Sequence, residues 1–226
     1  MKLSILAFDG ITTLDAVGGY EFLSRLPGME TSFFARKKGI ISADTGALGL
    51  VAWEEFEDVQ STDILYVPGG PGAVPLETDE AHLEKIRQLD ATSTWTVGIC
   101  NGVAVLAAAG ILTGKSVTTN YFYRDRVAAY GANVVPDRYV RDGKFITGAG
   151  VSASLDAGLY LSMEIGGEAL AKTLQLGIEY YPAPHFPEAR PEDAPDMAKM
   201  IIQQAEQNGA STIRPPAFKD FLATAG

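Results

Sequence analysis

Short apolar runs alternate along this chain with longer segments of mixed polarity. Apolar or β-branched runs at 3–8, 30–35, 64–67, 96–99, 117–118 and 145–147 read as strands. The segments 15–25, 79–91, 101–109, 121–130, 152–165 and 168–177 read as helices. Strands that alternate with helices in this way predict a parallel sheet covered on both faces. Arg141-Asp142-Gly143-Lys144 predicts a turn between two short strands, and 40–51, with Gly46 and Gly49, predicts a second hairpin. Pro182-Ala183-Pro184-His185-Phe186-Pro187 must run extended, because proline biases its predecessor away from helix. A last helix is expected over 192–207, followed by a tail that contains Pro215-Pro216. The pattern divides the chain into an α/β domain over 1–186 and a C-terminal helical extension over 187–226, expected to pack on the same domain.

Composition narrows the class. A chain of 226 residues with 46% hydrophobic and 20% charged residues suits one sizeable α/β domain with a large core. Its single cysteine excludes an intrachain disulfide framework and fits a reducing compartment. The apolar run after Met1 is too short for a signal peptide or membrane span and ends at Asp9-Gly10, so it is expected to be the first core strand of a cytoplasmic protein. A formal net charge of −10 argues against nucleic acid or an anionic membrane as partner, since both demand concentrated Lys and Arg. Two histidines and one cysteine cannot build an ordinary Cys/His zinc site.

Four places carry candidate chemistry. Cys100 stands between the strand-like Trp95-Thr96-Val97-Gly98-Ile99 and an Ala/Leu-rich helical run, with Gly98 and Gly102 as small neighbours. A sharp strand-to-helix turn of this kind presents a nucleophile, and a helix N-terminus favours thiolate over thiol. A buried structural cysteine is the alternative. Pro68-Gly69-Gly70-Pro71-Gly72 follows the strand at 64–67. Its N–H groups can turn inward as an anion-binding nest or oxyanion hole, or its glycines can serve a tight turn alone. It has neither a GK[ST] nor a GxGxxG pattern, which excludes the common nucleotide loops. Asp15 opens the first helix, either as an ordinary capping or first-turn acid or as a general acid/base that reaches the elbow. Thr147-Gly148-Ala149-Gly150-Val151-Ser152 leads from strand to helix through small residues, either bordering a site or forming a capped turn. His82 lies in a charged helix and is expected to face solvent, and neither His82 nor His185 follows a core strand where a catalytic histidine would sit.

Leu14-Asp15, Val67-Pro68-Gly69-Gly70-Pro71-Gly72, Gly98-Ile99-Cys100-Asn101-Gly102 and Gly148-Ala149-Gly150, in this order, resemble the DJ-1/PfpI (ThiJ) superfamily. Within it the chain looks most like the isocyanide hydratase branch, through 106–115, Val140-Arg141-Asp142-Gly143 and Gln175-Leu176-Gly177-Ile178-Glu179-Tyr180-Tyr181-Pro182-Ala183-Pro184. The resemblance implies a flavodoxin-like three-layer α/β/α sandwich, related to class I glutamine amidotransferases, with a mainly parallel sheet and usually a homodimer. It implies Cys100 as nucleophile, Asp15 as its acidic partner and backbone donors from Gly70 and Asn101, with Gly69 and Gly150 among the substrate-binding positions. The implied substrate is a small electrophile, an isocyanide hydrated to a formamide, with neither metal nor organic cofactor. A glyoxalase- or deglycase-like enzyme for reactive carbonyls, or a redox or ligand sensor built on the cysteine, are the alternatives. The chain departs from the branch at Asn101 (commonly Thr), Asn120 (commonly His), Gly18-Gly19 (usually Gly-Pro, expected in a turn) and Ser152 (usually apolar, expected beside the thiol).

Overall fold

The computed structural model describes residues 1–185 and 191–207. The elements run β1 Lys2–Leu6, α1 Thr13–Leu23, β2 Glu30–Ala35, β3 Gly39–Ser42, β4 Gly49–Ala52, β5 Glu54–Glu55, β6 Ile64–Val67, α2 Glu80–Thr92, β7 Trp95–Ile99 and α3 Gly102–Ala108. They continue as β8 Ser116–Val117, α4 Arg124–Ala129, β9 Asn133–Val134, β10 Tyr139–Asp142, β11 Phe145–Gly148, α5 Ala153–Gly166, α6 Glu168–Gly177 and α7 Asp196–Gln207. Short 3-10 turns occupy Pro71–Thr78 and Tyr121–Tyr123.

The main sheet has seven strands in the order β10-β11-β7-β6-β1-β2-β5. Every pairing is parallel except the β10–β11 hairpin at one edge. All four residues of β6 and of β11 are buried, which is why those strands read as continuous apolar runs rather than alternating ones. Helices cover the sheet, and α1 packs closely against α5. This is the doubly wound α/β sandwich of the flavodoxin type. Its strand order reverses at β1, which has β2 on one side and β6 on the other. Loops at the C-terminal ends of strands around such a reversal form the usual ligand crevice; here they carry Gly69-Gly70 and Cys100, and the first turn of α1, which follows β1, carries Asp15.

Several expectations need correcting. The strand at 117–118 stands outside the main sheet, where β8 pairs in parallel with β9. The helix expected over 121–130 breaks into a 3-10 turn and the short α4, because the Asn120 side chain accepts the Phe122 N–H at 3.1 Å and starts a separate turn. Gly18 and Gly19 lie inside α1, not in a turn: a side chain at either would strike Ser154 or Tyr66. His82 is buried, not solvent-facing, with its ring edge-on to Phe56 and Nδ1 3.0 Å from Asp79 Oδ2. Burial pulls its pKa below the ordinary histidine value, against the opposing bond to Asp79. The final helix begins at Asp196 rather than 192. The tail with Pro215-Pro216, and with it most of the expected 187–226 extension, lies outside the described residues. No described helix is long and apolar enough to cross a membrane.

Candidate active site at the Cys100 elbow

Cys100 ends β7 in a left-handed conformation, φ +56°, which a non-glycine residue seldom adopts. Such a residue persists where its surroundings over-determine it. Here both adjoining peptide groups are fixed: Cys100 N–H donates to Gly148 O at 3.0 Å, and Thr119 Oγ1 donates to Cys100 O at 2.7 Å. The strand therefore keeps its pairing with β11 up to the cysteine and then turns sharply into α3. The side chain is nearly enclosed, at 5% exposure.

Beneath the elbow lies the Pro-Gly-Gly loop. Asp15 is fully buried in the first turn of α1, and it is not the helix cap, a position taken by Thr12. Its Oδ2 instead accepts the Gly69 N–H at 2.9 Å. Gly69 is the meeting point of the site. A Cβ there would stand 2.8 Å from Asp15 Oδ2 and 2.9 Å from the Asn101 backbone nitrogen, so a side chain would drive acid and elbow apart. Tyr66 reinforces the acid from below by donating its hydroxyl to Asp15 O at 2.7 Å. Burial, with the Asp15 charge beside it, holds the Tyr66 phenol well above its usual pKa, so it stays a donor.

The departure at Asn101 has a structural explanation. Asn101 caps no helical N–H with its side chain. Its carboxamide instead clasps Gly70 from both ends: Oδ1 accepts the Gly70 N–H at 2.7 Å and Nδ2 donates to Gly70 O at 2.9 Å. This clasp ties the elbow to the neighbouring loop, with Gly70 at φ +129°. The arrangement modifies the expected anion nest. The N–H groups of Gly69 and Gly70 are engaged by Asp15 and Asn101 and do not point as a pair at an empty site.

Asn120 Nδ2 donates to Cys100 Sγ at 3.3 Å. Thr118 and Thr119 hold this segment in place. Thr118 N–H donates to Thr147 Oγ1 at 2.9 Å and Thr118 Oγ1 to Asp137 O at 2.7 Å, while Thr119 bonds the elbow carbonyl. Asn120 also lines a cavity of about 570 Å³ with Tyr121, Arg124, Arg138, Ala149 and Gly150. That volume falls in the range of small-ligand pockets. Gly150 is thus on the cavity wall, and Ser152 is exposed and accepts a bond from Arg138 Nη2 at 3.0 Å. Arg124 is ion-paired to Glu192 at 3.2 Å and Arg138 to Asp156 at 2.6 Å, so both guanidinium groups on the wall have a carboxylate partner. Among the described residues no group of three or more His, Cys, Asp and Glu side chains offers a metal site.

Of the residues that the sequence singled out, Asp15 is bonded to Gly69 and Asn101 to Gly70, Cys100 directly precedes Asn101 in the chain, and Gly150 stands on the cavity wall. Sequence reasoning missed the contact between Asn120 and sulfur. The one local signal was an Asn at the start of a turn, which speaks of capping and not of what lies across the fold.

Comparison with known proteins agrees with this fold. Residues 1–163 match the model of the DJ-1/PfpI family. The chain is 36% identical over 214 residues to an isonitrile hydratase of Pseudomonas putida, covering 95% of this chain and 92% of the relative. A deglycase of Thermococcus kodakarensis is 26% identical over 149 residues, 65% of this chain and 89% of the relative. Among solved structures, a ThiJ/PfpI family protein from Pseudomonas syringae superposes with a TM-score of 0.86 at 29% identity, over 92% of this chain and 86% of that one. With the sheet order, the strained cysteine elbow and the matched family model in agreement, the chain belongs to the DJ-1/PfpI family.

Proposed function

We propose that this protein hydrates organic isocyanides to N-substituted formamides, with Cys100 as nucleophile. The observation that carries the reading is the elbow: the chain's single cysteine, held at φ +56° and joined through Asn120 to a cavity of ligand size. The likeness to a named isonitrile hydratase along nearly the whole chain supports this substrate class.

An isocyanide R–N≡C accepts a soft nucleophile at its terminal carbon. The Cys100 sulfur forms a bond to that carbon and a proton is delivered to the same carbon, giving the thioimidate R–N=CH–S. Water then adds at this carbon while nitrogen takes up a proton, giving R–NH–CH(OH)–S. The C–S bond breaks, the hydroxyl loses its proton and R–NH–CHO leaves with the thiol restored, so one water is consumed per turnover. Asp15 is the group in this scheme that carries the proton, and its burial beside the elbow keeps bulk water from that transfer. The cavity holds R, and the scheme requires no cofactor.

The test is direct. Purified protein incubated with alkyl and aryl isocyanides is expected to release the matching formamides, and Cys100→Ala to release none above background. Equal rates for the two proteins would end the reading. Turnover of methylglyoxal or removal of glycation adducts, without isocyanide turnover, would put the deglycase-like reading in its place.

A further inference from the structure

The donors at the thiol are not those the Gly-rich loop promised. Gly69 N–H is held by Asp15 at 2.9 Å and Gly70 N–H by Asn101 at 2.7 Å, both good hydrogen-bond lengths that leave neither hydrogen for a substrate. On the cavity side stands a primary carboxamide. Asn120 Oδ1 accepts the Phe122 N–H at 3.1 Å, which fixes the amide so that its NH₂ end faces Cys100 Sγ at 3.3 Å. An NH₂ group has two hydrogens, and one bond to sulfur uses one of them. The same residue lines the cavity where the substrate would enter.

We propose that Asn120 is a catalytic donor, bonding the Cys100 sulfur in its thiolate form and then the heteroatom attached to the attacked carbon. This rests on the reading of Cys100 as the attacking group. The geometry favours one residue in both tasks. A heteroatom bonded to the attacked carbon is two bonds from sulfur, so a donor already in contact with sulfur reaches it with little movement. In an isocyanide that atom is the nitrogen as it becomes basic in the thioimidate, then the hydroxyl oxygen of the hydrated adduct. A carboxamide gives up no proton at neutral pH, so Asn120 holds charge without titrating. Asp15, which accepts the Gly69 N–H, keeps the proton-carrying role.

Two variants separate this role from a structural one. Asn120→Asp keeps an oxygen for the Phe122 N–H but replaces the donor with an acceptor. Asn120→Ala removes both ends. The readout is the pH dependence of Cys100 alkylation by iodoacetamide, which reports thiolate and needs no isocyanide. The midpoint is expected to rise by about one pH unit in Asn120→Ala, since a bond to the charged form is lost, and further in Asn120→Asp, where a like charge is added. With isocyanide, kcat is expected to fall by roughly 10²-fold in both variants with KM changed much less, as for loss of one transition-state donor. Unchanged midpoints in two folded variants would overturn the proposal, as would shifted midpoints with an unchanged kcat. Shifted midpoints in a protein whose wild type turns over no isocyanide would support the hold on the thiolate and remove the substrate reading instead.

Discussion

The two walls around Cys100 are built differently. The inner wall, made by Asp15, Gly69, Gly70 and Asn101, is buried and its polar groups bond to one another. The outer wall touches the sulfur through Asn120, which with Gly150, Arg124 and Arg138 lines a cavity of about 570 Å³. The inner wall carries the glycine motif that a reader of the sequence sees first. Its hydrogen bonds leave it fixed in shape, able to set the elbow and hold the acid. The outer wall has no motif, yet it brings a side-chain donor to the sulfur. In this molecule the motif positions the elbow, and the donor side chain at the sulfur comes from the unmarked wall.

Substitutions can break that contrast. The largest expected effect is on the acid. Asp15→Asn keeps an oxygen for the Gly69 N–H, so the fold should hold, while activity on an isocyanide falls by roughly 10²–10⁴-fold, the usual worth of a general acid or base. Steady-state kinetics beside a thermal melt checks both halves. Near-wild-type turnover would strip Asp15 of its role in proton transfer. Next is Gly70→Ala. At φ +129° a side chain is strained, and its Cβ would press on the backbone of Gly10, Ile11 and Thr12. A loss of about 3 kcal/mol or more in a denaturant titration is expected. Asn101→Thr comes third. It restores the residue common in the hydratase branch but breaks the two-ended clasp and leaves buried groups of Gly70 without partners, for about 1–3 kcal/mol of stability. An unchanged unfolding midpoint would show that the clasp contributes nothing to the inner wall. Gly150→Ala should leave stability as it is, because no atom lies within 4 Å of the added Cβ, and should raise KM for bulky isocyanides more than for small ones.

The smallest effect lies away from both walls. Burial depresses the pKa of His82, so the unfolded chain takes up the proton first as pH falls. Stability from this residue is complete above about pH 6.5, the unperturbed histidine value, and declines as pH drops toward the lower folded value. His82→Phe should flatten that acid limb in melts followed across pH. A slope that persists unchanged would assign the dependence to other groups.

What could be read in advance follows the range of the interactions. β2, β6 and α6 have the bounds that periodicity and apolar runs predict, because burial on both faces or one stripe is written locally. The elbow was legible for the same reason: a β-rich run, a cysteine between glycines and an Ala-rich helix are consecutive in sequence. The orientation of Asn101 was not, since its partner Gly70 is 31 residues away. Nor was the Asn120 contact, which depends on Thr118 and Thr119 bonding to β11, Asp137 and the elbow. His82 was misread because the charged pattern of its helix hides that polar residues such as His82 and Lys85 share its buried face, where Phe56 from another part of the chain meets the His82 ring.

The central claim is that Cys100 becomes bonded to the isocyanide carbon. Intact-mass spectrometry of protein quenched in acid during turnover tests it most directly. The predicted result is a transient species heavier by the mass of one isocyanide, located at Cys100 by peptide mapping, absent from Cys100→Ala and decaying as the formamide appears. Formamide production by wild type with no such adduct at any quench time, or an equal adduct on Cys100→Ala, would contradict the account.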